Sequence, residues 1–209
     1  MTALIIDGIS ASGKSYLLRA LKKHADEERP NFTKVHLTEH LTERFFEGKS
    51  LVSTDIENHV VDILNIVERL QRIKRDSPFA NNAKVITITI ERLFLTLMSR
   101  DLMNDEFFAR HGDLIKQIDI RSLLLVIPDQ LIKARLERSL IERNEGWRSY
   151  IAGLGGLSKA VDHFSAQQQR MKRAHSVIDA HLQATIVEVQ DVSDLSNSKF
   201  LRGLLCTTT

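Results

Sequence analysis

Cysteine, proline and tryptophan are scarce in this sequence, and neither sign of charge dominates it. The chain has one cysteine (Cys206), three prolines and one tryptophan, and its 29 basic and 27 acidic residues leave a net charge of only +2. A single cysteine excludes a disulfide within the chain. Proteins dedicated to nucleic acid usually carry a larger and more clustered basic excess, so we expect no nucleic-acid partner.

Long apolar runs are also missing. No stretch has the roughly 20 consecutive apolar residues of a membrane-spanning helix, so we expect no membrane association. The N-terminus lacks the basic region and long apolar segment of a secretory signal, and residues 3–6 lead directly into a glycine-containing loop. We therefore expect this segment to be structural and the protein to be cytoplasmic.

What the sequence does contain is an alternation of apolar strands and amphipathic helices, which is typical of a parallel α/β sheet. Strands are predicted at residues 3–7, 34–37, 85–90, 122–127 and 185–189. Helices are predicted at residues 14–28, 56–70, 93–103, 106–117, 130–142 and 157–178, with a short one near the C-terminus. This pattern predicts one domain over residues 1–209, with a five-stranded, mostly parallel sheet between two helical layers. The apolar face of helix 56–70 suits its own sheet or a second copy of the chain, so a homodimer remains open.

Residues 8–15 match the phosphate-binding pattern G-x-x-x-x-G-K-[ST], the P-loop or Walker A motif. Its glycines allow a tight turn whose N–H groups hold phosphate oxygens, and the helix that begins there adds its positive N-terminal end. Because the motif follows a predicted buried strand and opens a predicted helix, it predicts a three-layer P-loop NTPase fold. The residues predicted to bind the nucleotide are Gly8, Ser10, Ala11, Ser12, Gly13, Lys14, Ser15 and Tyr16. Lys14 is expected to reach the β- and γ-phosphates of ATP, and Ser15 to ligate Mg²⁺.

The opening Leu4-Ile5-Ile6-Asp7-Gly8, followed by Gly13-Lys14-Ser15, resembles that of thymidylate kinases and deoxynucleoside kinases. The string Ser10-Ala11-Ser12-Gly13-Lys14 is also similar to the uridine kinase loop. The resemblance implies ATP-dependent phosphoryl transfer to a small acceptor, with a nucleoside or nucleoside monophosphate as the leading candidate. Asp7 either belongs to the magnesium shell or braces the loop.

Glu91-Arg92, at the end of the third strand, resembles the acidic-Arg pair of the same kinases. The resemblance implies that Glu91 is a magnesium ligand or a base and that Arg92 contacts substrate phosphate. The alternative is an acidic residue at a helix start beside a solvated arginine. Glu39 follows the second strand, where deoxynucleoside kinases place the general base for the sugar hydroxyl; it is otherwise one more charge in a polar segment.

Ile127-Pro128-Asp129, ahead of Arg135, Arg138 and Arg143, resembles the strand, proline turn and arginine-bearing lid of this superfamily. The resemblance implies a lid at about residues 136–156, with glycines 146–156 as hinges. Lid arginines stabilise the charge of a transferring phosphoryl group and exclude water. Arg138 and Arg143 are the first candidates for this role, and the alternative is a solvated amphipathic helix.

The acceptor itself stays open. Thymidylate kinases carry Arg-Glu-Pro after the second strand, where this chain has Thr38-Glu39-His40, and an aromatic residue or histidine where it has Leu93. A nucleoside, another nucleotide or a different small hydroxyl compound therefore remains possible. The competing function is a P-loop ATPase or GTPase that switches a macromolecular partner. Such proteins usually have an apolar strand ending in Asp or Asp-Glu, which Ile90-Glu91-Arg92 matches poorly.

Overall fold

The computed structural model describes residues 2–28, 33–42, 52–76 and 86–205, which leaves Val85 of the predicted third strand and Cys206 outside the described residues. Its sheet has five parallel strands in the order β2-β3-β1-β4-β5. The strands are β1 (Ala3–Gly8), β2 (Thr33–Leu37), β3 (Ile86–Glu91), β4 (Ile120–Val126) and β5 (Gln183–Glu188). The α/β fold expected from the sequence is confirmed, and every described strand pair is parallel.

Helices cover both faces of this sheet. They are α1 (Lys14–Glu28), α2 (Ser53–Asp76), α3 (Leu95–Ser99), α4 (Asp105–Gln117), α5 (Asp129–Glu142), α6 (Glu145–Gly153), α7 (Leu157–Asp179) and α8 (Ser198–Leu205), with a 3-10 helix at Val192–Ser196. Side chains alternate along β1, so Ala3 and Ile5 join a core with α2 to α7. Leu4 and Ile6 point to the other face and pack with α1, the 3-10 helix and α8. The three-layer arrangement is therefore confirmed.

The strand order accounts for the position of α1. From β1 the chain crosses to β2 at one edge of the sheet, and from β2 onward it returns through β3 and β4 to β5 at the other edge. Because crossovers between parallel strands are right-handed, the reversal puts α1 on the face opposite to α2, α5 and α7. In such sheets ligands bind beyond the carboxyl ends of the strands, at the point where the direction reverses. That point is the end of β1, where the P-loop begins.

One helix is shorter than the sequence predicted, and one was not predicted at all. The helix predicted at residues 93–103 is only Leu95–Ser99, because Asp101 takes a left-handed conformation (φ 56°) and closes a Schellman motif. In that motif the Leu102 amide donates to the Leu97 carbonyl and the Asp101 amide to Met98. The second difference is α6, which the glycines of residues 146–156 concealed. Gly155 (φ 92°) closes a second Schellman motif there, so this glycine ends a helix.

The helix predicted at residues 56–70 is longer, at Ser53–Asp76, and its apolar face is used within the chain. Ile56, Val60 and Leu64 are fully buried against the core. Within the described part of the chain, no helix combines the length and apolarity needed to cross a bilayer.

Candidate functional site

The loop between β1 and α1 has the backbone of an anion-binding concavity. Gly8 (φ 149°), Ala11 (φ 64°) and Gly13 (φ 99°) all have positive φ, and the Gly13 carbonyl accepts the first helical bond from Leu17 at 2.9 Å. Successive N–H groups in such alternating conformations point into one nest, beside the positive end of α1. Ala11 is not glycine, so its left-handed conformation stores strain of the kind that marks functional sites.

Close packing explains why glycine stands at both ends of this loop. A Cβ on Gly8 would lie 2.6 Å from the Leu125 carbonyl oxygen, because β4 runs directly beside it. A Cβ on Gly13 would lie 2.9 Å from Leu195, in the 3-10 helix. The loop is therefore held between β4 and the segment that follows β5.

Lys14 is buried and lies over the loop. Its Nζ donates hydrogen bonds to the carbonyl oxygens of Gly8 (2.7 Å) and Ile9 (2.8 Å). Only 5% of the residue is exposed, so its charge acts in a setting of low polarity. Phosphate oxygens held by the loop would therefore interact directly with the positive charge of the Lys14 ammonium group.

Asp7 precedes this loop and is completely buried. Neither carboxylate oxygen has a hydrogen-bond partner of good geometry among the described residues. Burial raises the pKa of Asp7 to about 7, although the charges of Lys14 and Arg92 and the amides of Phe94 and Leu95 act in the opposite direction. The carboxyl group therefore keeps its proton well above the pH at which a solvated aspartate ionises.

The P-loop forms one wall of a cavity of about 1070 Å³. The site residues predicted from the sequence all line this cavity except Asp7 and Gly8, which are buried at the end of β1. The P-loop, Arg135 and residues 190–192 line what we call the donor half. The acceptor half is lined by Glu39, Glu91, Arg92, Leu95, Arg143, Trp147, Tyr150, Phe164 and Gln167.

Glu39 and Arg92 meet in the acceptor half. Arg92 Nε lies 3.4 Å from Glu39 Oε2, and both side chains are mostly buried. Arg92 has positive φ (58°), while its amide donates to the Ile6 carbonyl, so the end of β3 holds a strained residue firmly beside β1. Arg143 belongs to the same cluster and interacts with both charges. Burial and the charge of Arg92 lower the pKa of Arg143, whereas the charge of Glu39 raises it.

Glu91 and Ser15 are the predicted magnesium ligands, and both line the cavity. Glu91 is only 7% exposed and its carbonyl accepts a hydrogen bond from Thr42, which fixes the end of β3. Among the described residues no three His, Cys, Asp or Glu side chains form a metal-binding group. Magnesium at phosphates needs no such cage, since one or two protein oxygens complete a shell of waters and phosphate oxygens. The donor set fits that ion.

The three arginines of α5 and its end differ in their surroundings. Arg135 donates to the carbonyl oxygens of Val189 (2.6 Å) and Gln190 (3.1 Å) and approaches that of Ala11 (3.5 Å), so it ties α5 to the P-loop. Arg138 lies at the exposed cavity rim and pairs with Glu142 at 2.6 Å. Arg143 stacks over the ring of Trp147, at 4.5 Å from its centroid. Arg135 is therefore the arginine that contacts the P-loop. Arg138 and Arg143, the first candidates from the sequence, contact Glu142 and Trp147 instead.

Sequence reasoning missed an aromatic wall in the acceptor half. Trp147 and Tyr150 of α6 and Phe164 of α7 lie with ring centroids 5.5 to 6.5 Å apart. The i, i+3 spacing of Trp147 and Tyr150 was a usable signal, but it is visible only if residues 145–153 are recognised as a helix.

No protein-family model matches the chain, and no curated protein sequence matches it. It is structurally similar to YorR protein from Bacillus subtilis, crystallised in complex with phosphorylated GDP, at 15% identity and a TM-score of 0.49 over 97% of this chain and 95% of YorR. It is also similar to thymidylate kinase from Ehrlichia chaffeensis, at 11% identity and a TM-score of 0.48 over 93% of this chain and 94% of that one.

Proposed function

We propose that the protein transfers the γ-phosphoryl group of ATP to the hydroxyl or phosphate of a small acceptor, with a nucleoside or nucleoside monophosphate as the leading candidate. The observation that carries this proposal is the shared cavity, in which a P-loop with Lys14 faces a buried Glu39–Arg92 pair. A nucleotide switch that acts on a macromolecule has no need of a second group of cavity residues with its own carboxylate and arginines.

The donor half supports the binding of a polyphosphate. The loop amides and Lys14 bind phosphate oxygens, and Lys14 would exchange its bonds to the Gly8 and Ile9 carbonyls for bonds to phosphate. Arg135 holds α5 against the loop and thereby positions the segment that carries Arg138 and Arg143. Both of those arginines can supply positive charge where negative charge develops on the transferred group.

The acceptor half supports activation of the nucleophile. Glu39 lies 3.4 Å from Arg92 Nε and interacts with the charge of Arg143, and these two arginines orient its carboxylate. It would accept the proton of an acceptor hydroxyl as that oxygen bonds to the γ-phosphorus and the bond to ADP breaks. Arg92 and Arg143 would bind a phosphate of the acceptor or of the transition state. Ser15 and Glu91 would hold magnesium, whose chemistry is to neutralise charge on the phosphate oxygens.

Lys14→Ala tests the proposal, with Lys22→Ala as the matched control because Lys22 is exposed on the same helix. Wild type and Lys22→Ala should bind Mg·ATP in calorimetry and convert radiolabelled ATP and an acceptor from a nucleoside and nucleotide panel to labelled product. Lys14→Ala should lose at least about a hundredfold in rate, since one preorganised charge contributes about 3 kcal/mol or more to such a transition state. Absence of Mg·ATP binding by folded wild type, or an unchanged rate in Lys14→Ala, contradicts the proposal.

A further inference from the structure

The aromatic wall of the acceptor half is fixed in place. The Trp147 indole N–H donates to Ser139 Oγ at 3.0 Å, and Ser139 in turn donates to the Leu136 carbonyl. Phe164 is 2% exposed and belongs to the core. The wall therefore presents preformed surface, which costs a ligand little ordering on binding.

Core packing does not account for the whole wall. Tyr150 is 47% exposed although it lines the cavity and contacts two other rings. Its plane lies 26° from that of Trp147, so these two rings form an offset stack, and Phe164 is tilted by 30° from Trp147 and by 50° from Tyr150. Such an array favours another flat ring over a branched alkyl chain, because offset stacking adds to simple apolar burial.

The wall meets the charged cluster at one residue. The Arg143 guanidinium lies over Trp147 and also feels the charges of Arg92 and Glu39. A ligand with its flat part on the wall therefore has Arg143 within reach of its polar part, and next to Arg143 the Glu39–Arg92 pair. Gln167, also in the lining, donates to Ser99 Oγ at 3.1 Å and offers an amide to the edge of such a ring.

We propose that α6 and α7 set the acceptor specificity, and that the acceptor carries a nucleobase-sized planar ring which stacks on Tyr150, next to Trp147. This inference rests on the proposed phosphoryl transfer and specifies its acceptor: a ring-bearing compound with a hydroxyl or phosphate at the distance of Glu39. Tyr150 and Trp147 contribute to the affinity for the acceptor, and the binding of Mg·ATP in the donor half does not depend on them.

Trp147 is the only tryptophan of the chain, so its fluorescence reports directly on the wall. The probes are adenosine, guanosine, cytidine, thymidine and their 5′-monophosphates, with ribose and ribose 5-phosphate as controls that lack the ring. Each is titrated into protein saturated with a non-hydrolysable Mg·ATP analogue. At least one ring-bearing probe should change the fluorescence saturably, and neither control should. If the analogue binds but no ring-bearing probe changes the signal, the stacking inference is wrong while nucleotide binding stands; if the analogue does not bind, the proposed function fails as well.

Tyr150→Leu and Tyr150→Phe separate stacking from mere bulk. Loss of the ring in Tyr150→Leu should weaken the ring-bearing probe about tenfold, as expected for one base–aromatic stack. Tyr150→Phe keeps the ring and should remain within about twofold on the same stacking argument, and both variants should bind the Mg·ATP analogue like wild type. Equal affinities of Tyr150→Leu and wild type for the probe, or equal losses in both variants, would overturn the inference.

Discussion

The Asp7 carboxyl group lies completely buried at the end of β1, with no hydrogen-bond partner of good geometry among the described residues. Its pKa rises from 3.8 to about 7 because burial penalises the charged form more than Lys14 and Arg92 favour it. At a pH between these two pKa values, Asp7 is protonated in the folded chain and ionised in the unfolded chain. Stability is highest on the acid side of this window and falls as the pH rises through it.

Asp7→Asn tests this linkage, since asparagine has nearly the same size and no charge. Between pH 5 and pH 8 the free energy of unfolding of wild type should fall by roughly 2 to 3 kcal/mol relative to the variant, from the size of the pKa shift. Denaturant unfolding of both proteins at each pH, without nucleotide, measures the difference. Parallel stability profiles would show that the carboxyl group titrates normally.

Gly8 and Gly112 give opposite expectations for the same substitution. Gly8→Ala puts a Cβ against the Leu125 carbonyl and should cost about 1–3 kcal/mol of stability together with Mg·ATP affinity. Gly112 lies inside α4, and an added Cβ meets nothing within 4 Å. Gly112→Ala should therefore stabilise the chain by up to about 1 kcal/mol, because alanine favours a helix. Thermal unfolding and calorimetry check both, and a neutral Gly8→Ala would contradict the close approach of β4.

At the scale of elements, α6 is held by its ends and by side-chain hydrogen bonds to α5, among them that of Trp147 to Ser139. Asn144 caps its start by accepting from the Trp147 amide at 3.1 Å, and Gly155 closes its end. The Arg148 guanidinium also donates to the Leu140 carbonyl at 3.0 Å, which ties α6 back to α5. These contacts keep the aromatic wall in register with Arg143.

Asn144→Ala should loosen α6 alone. Loss of an asparagine cap costs about 1 kcal/mol, and Trp147 should become more accessible to quenching by acrylamide. Asn104→Ala is the control, because Asn104 caps α4 in the same way, through the Phe107 amide at 3.1 Å. That variant should lose comparable stability with no change in Trp147 quenching. Similar quenching in all three proteins would mean that the cap does not hold the wall.

At the scale of the whole molecule, the cavity joins segments far apart in sequence. Its walls come from the loop after β1 and from α1, from the segment after β2, from the end of β3 and the start of α3, from α5 to α7, and from the residues after β5. A ligand that spans both halves therefore bridges most of the fold. A ligand that binds only the native state raises the free energy of unfolding by about 2.7 kcal/mol when its concentration is a hundred times Kd.

Mg·ATP at that excess should therefore raise the Tm by about 5–10 °C for a chain of this length. In the absence of acceptor it should be hydrolysed only slowly, which a phosphate-release assay measures. A large Tm shift with rapid, acceptor-independent hydrolysis would favour the ATPase or GTPase switch over the kinase. No shift with either Mg·ATP or Mg·GTP would contradict nucleotide binding itself.

Local patterns were sufficient for the strands, most helices and the P-loop. Alternating apolar segments predicted the sheet because burial of apolar side chains operates over a few residues, and the phosphate-binding loop is a run of eight. The same local reading missed α6 in this glycine-rich segment, because a helix held by an asparagine cap and a Schellman turn tolerates glycines; the hinge role of glycines 146–156 stays a prediction. One domain over residues 1–209, a lid at 136–156 and a homodimer remain predictions.

The sequence by itself determined that a phosphate-binding loop stands between a buried strand and a helix. Only the tertiary structure decided what faces that loop: Arg135 at its edge, Glu39 beside Arg92, and an aromatic wall beyond them. The physical reason is range. Turn conformation and helix polarity depend on neighbouring residues, whereas a cavity depends on which side chains the crossovers bring together from positions more than a hundred residues apart.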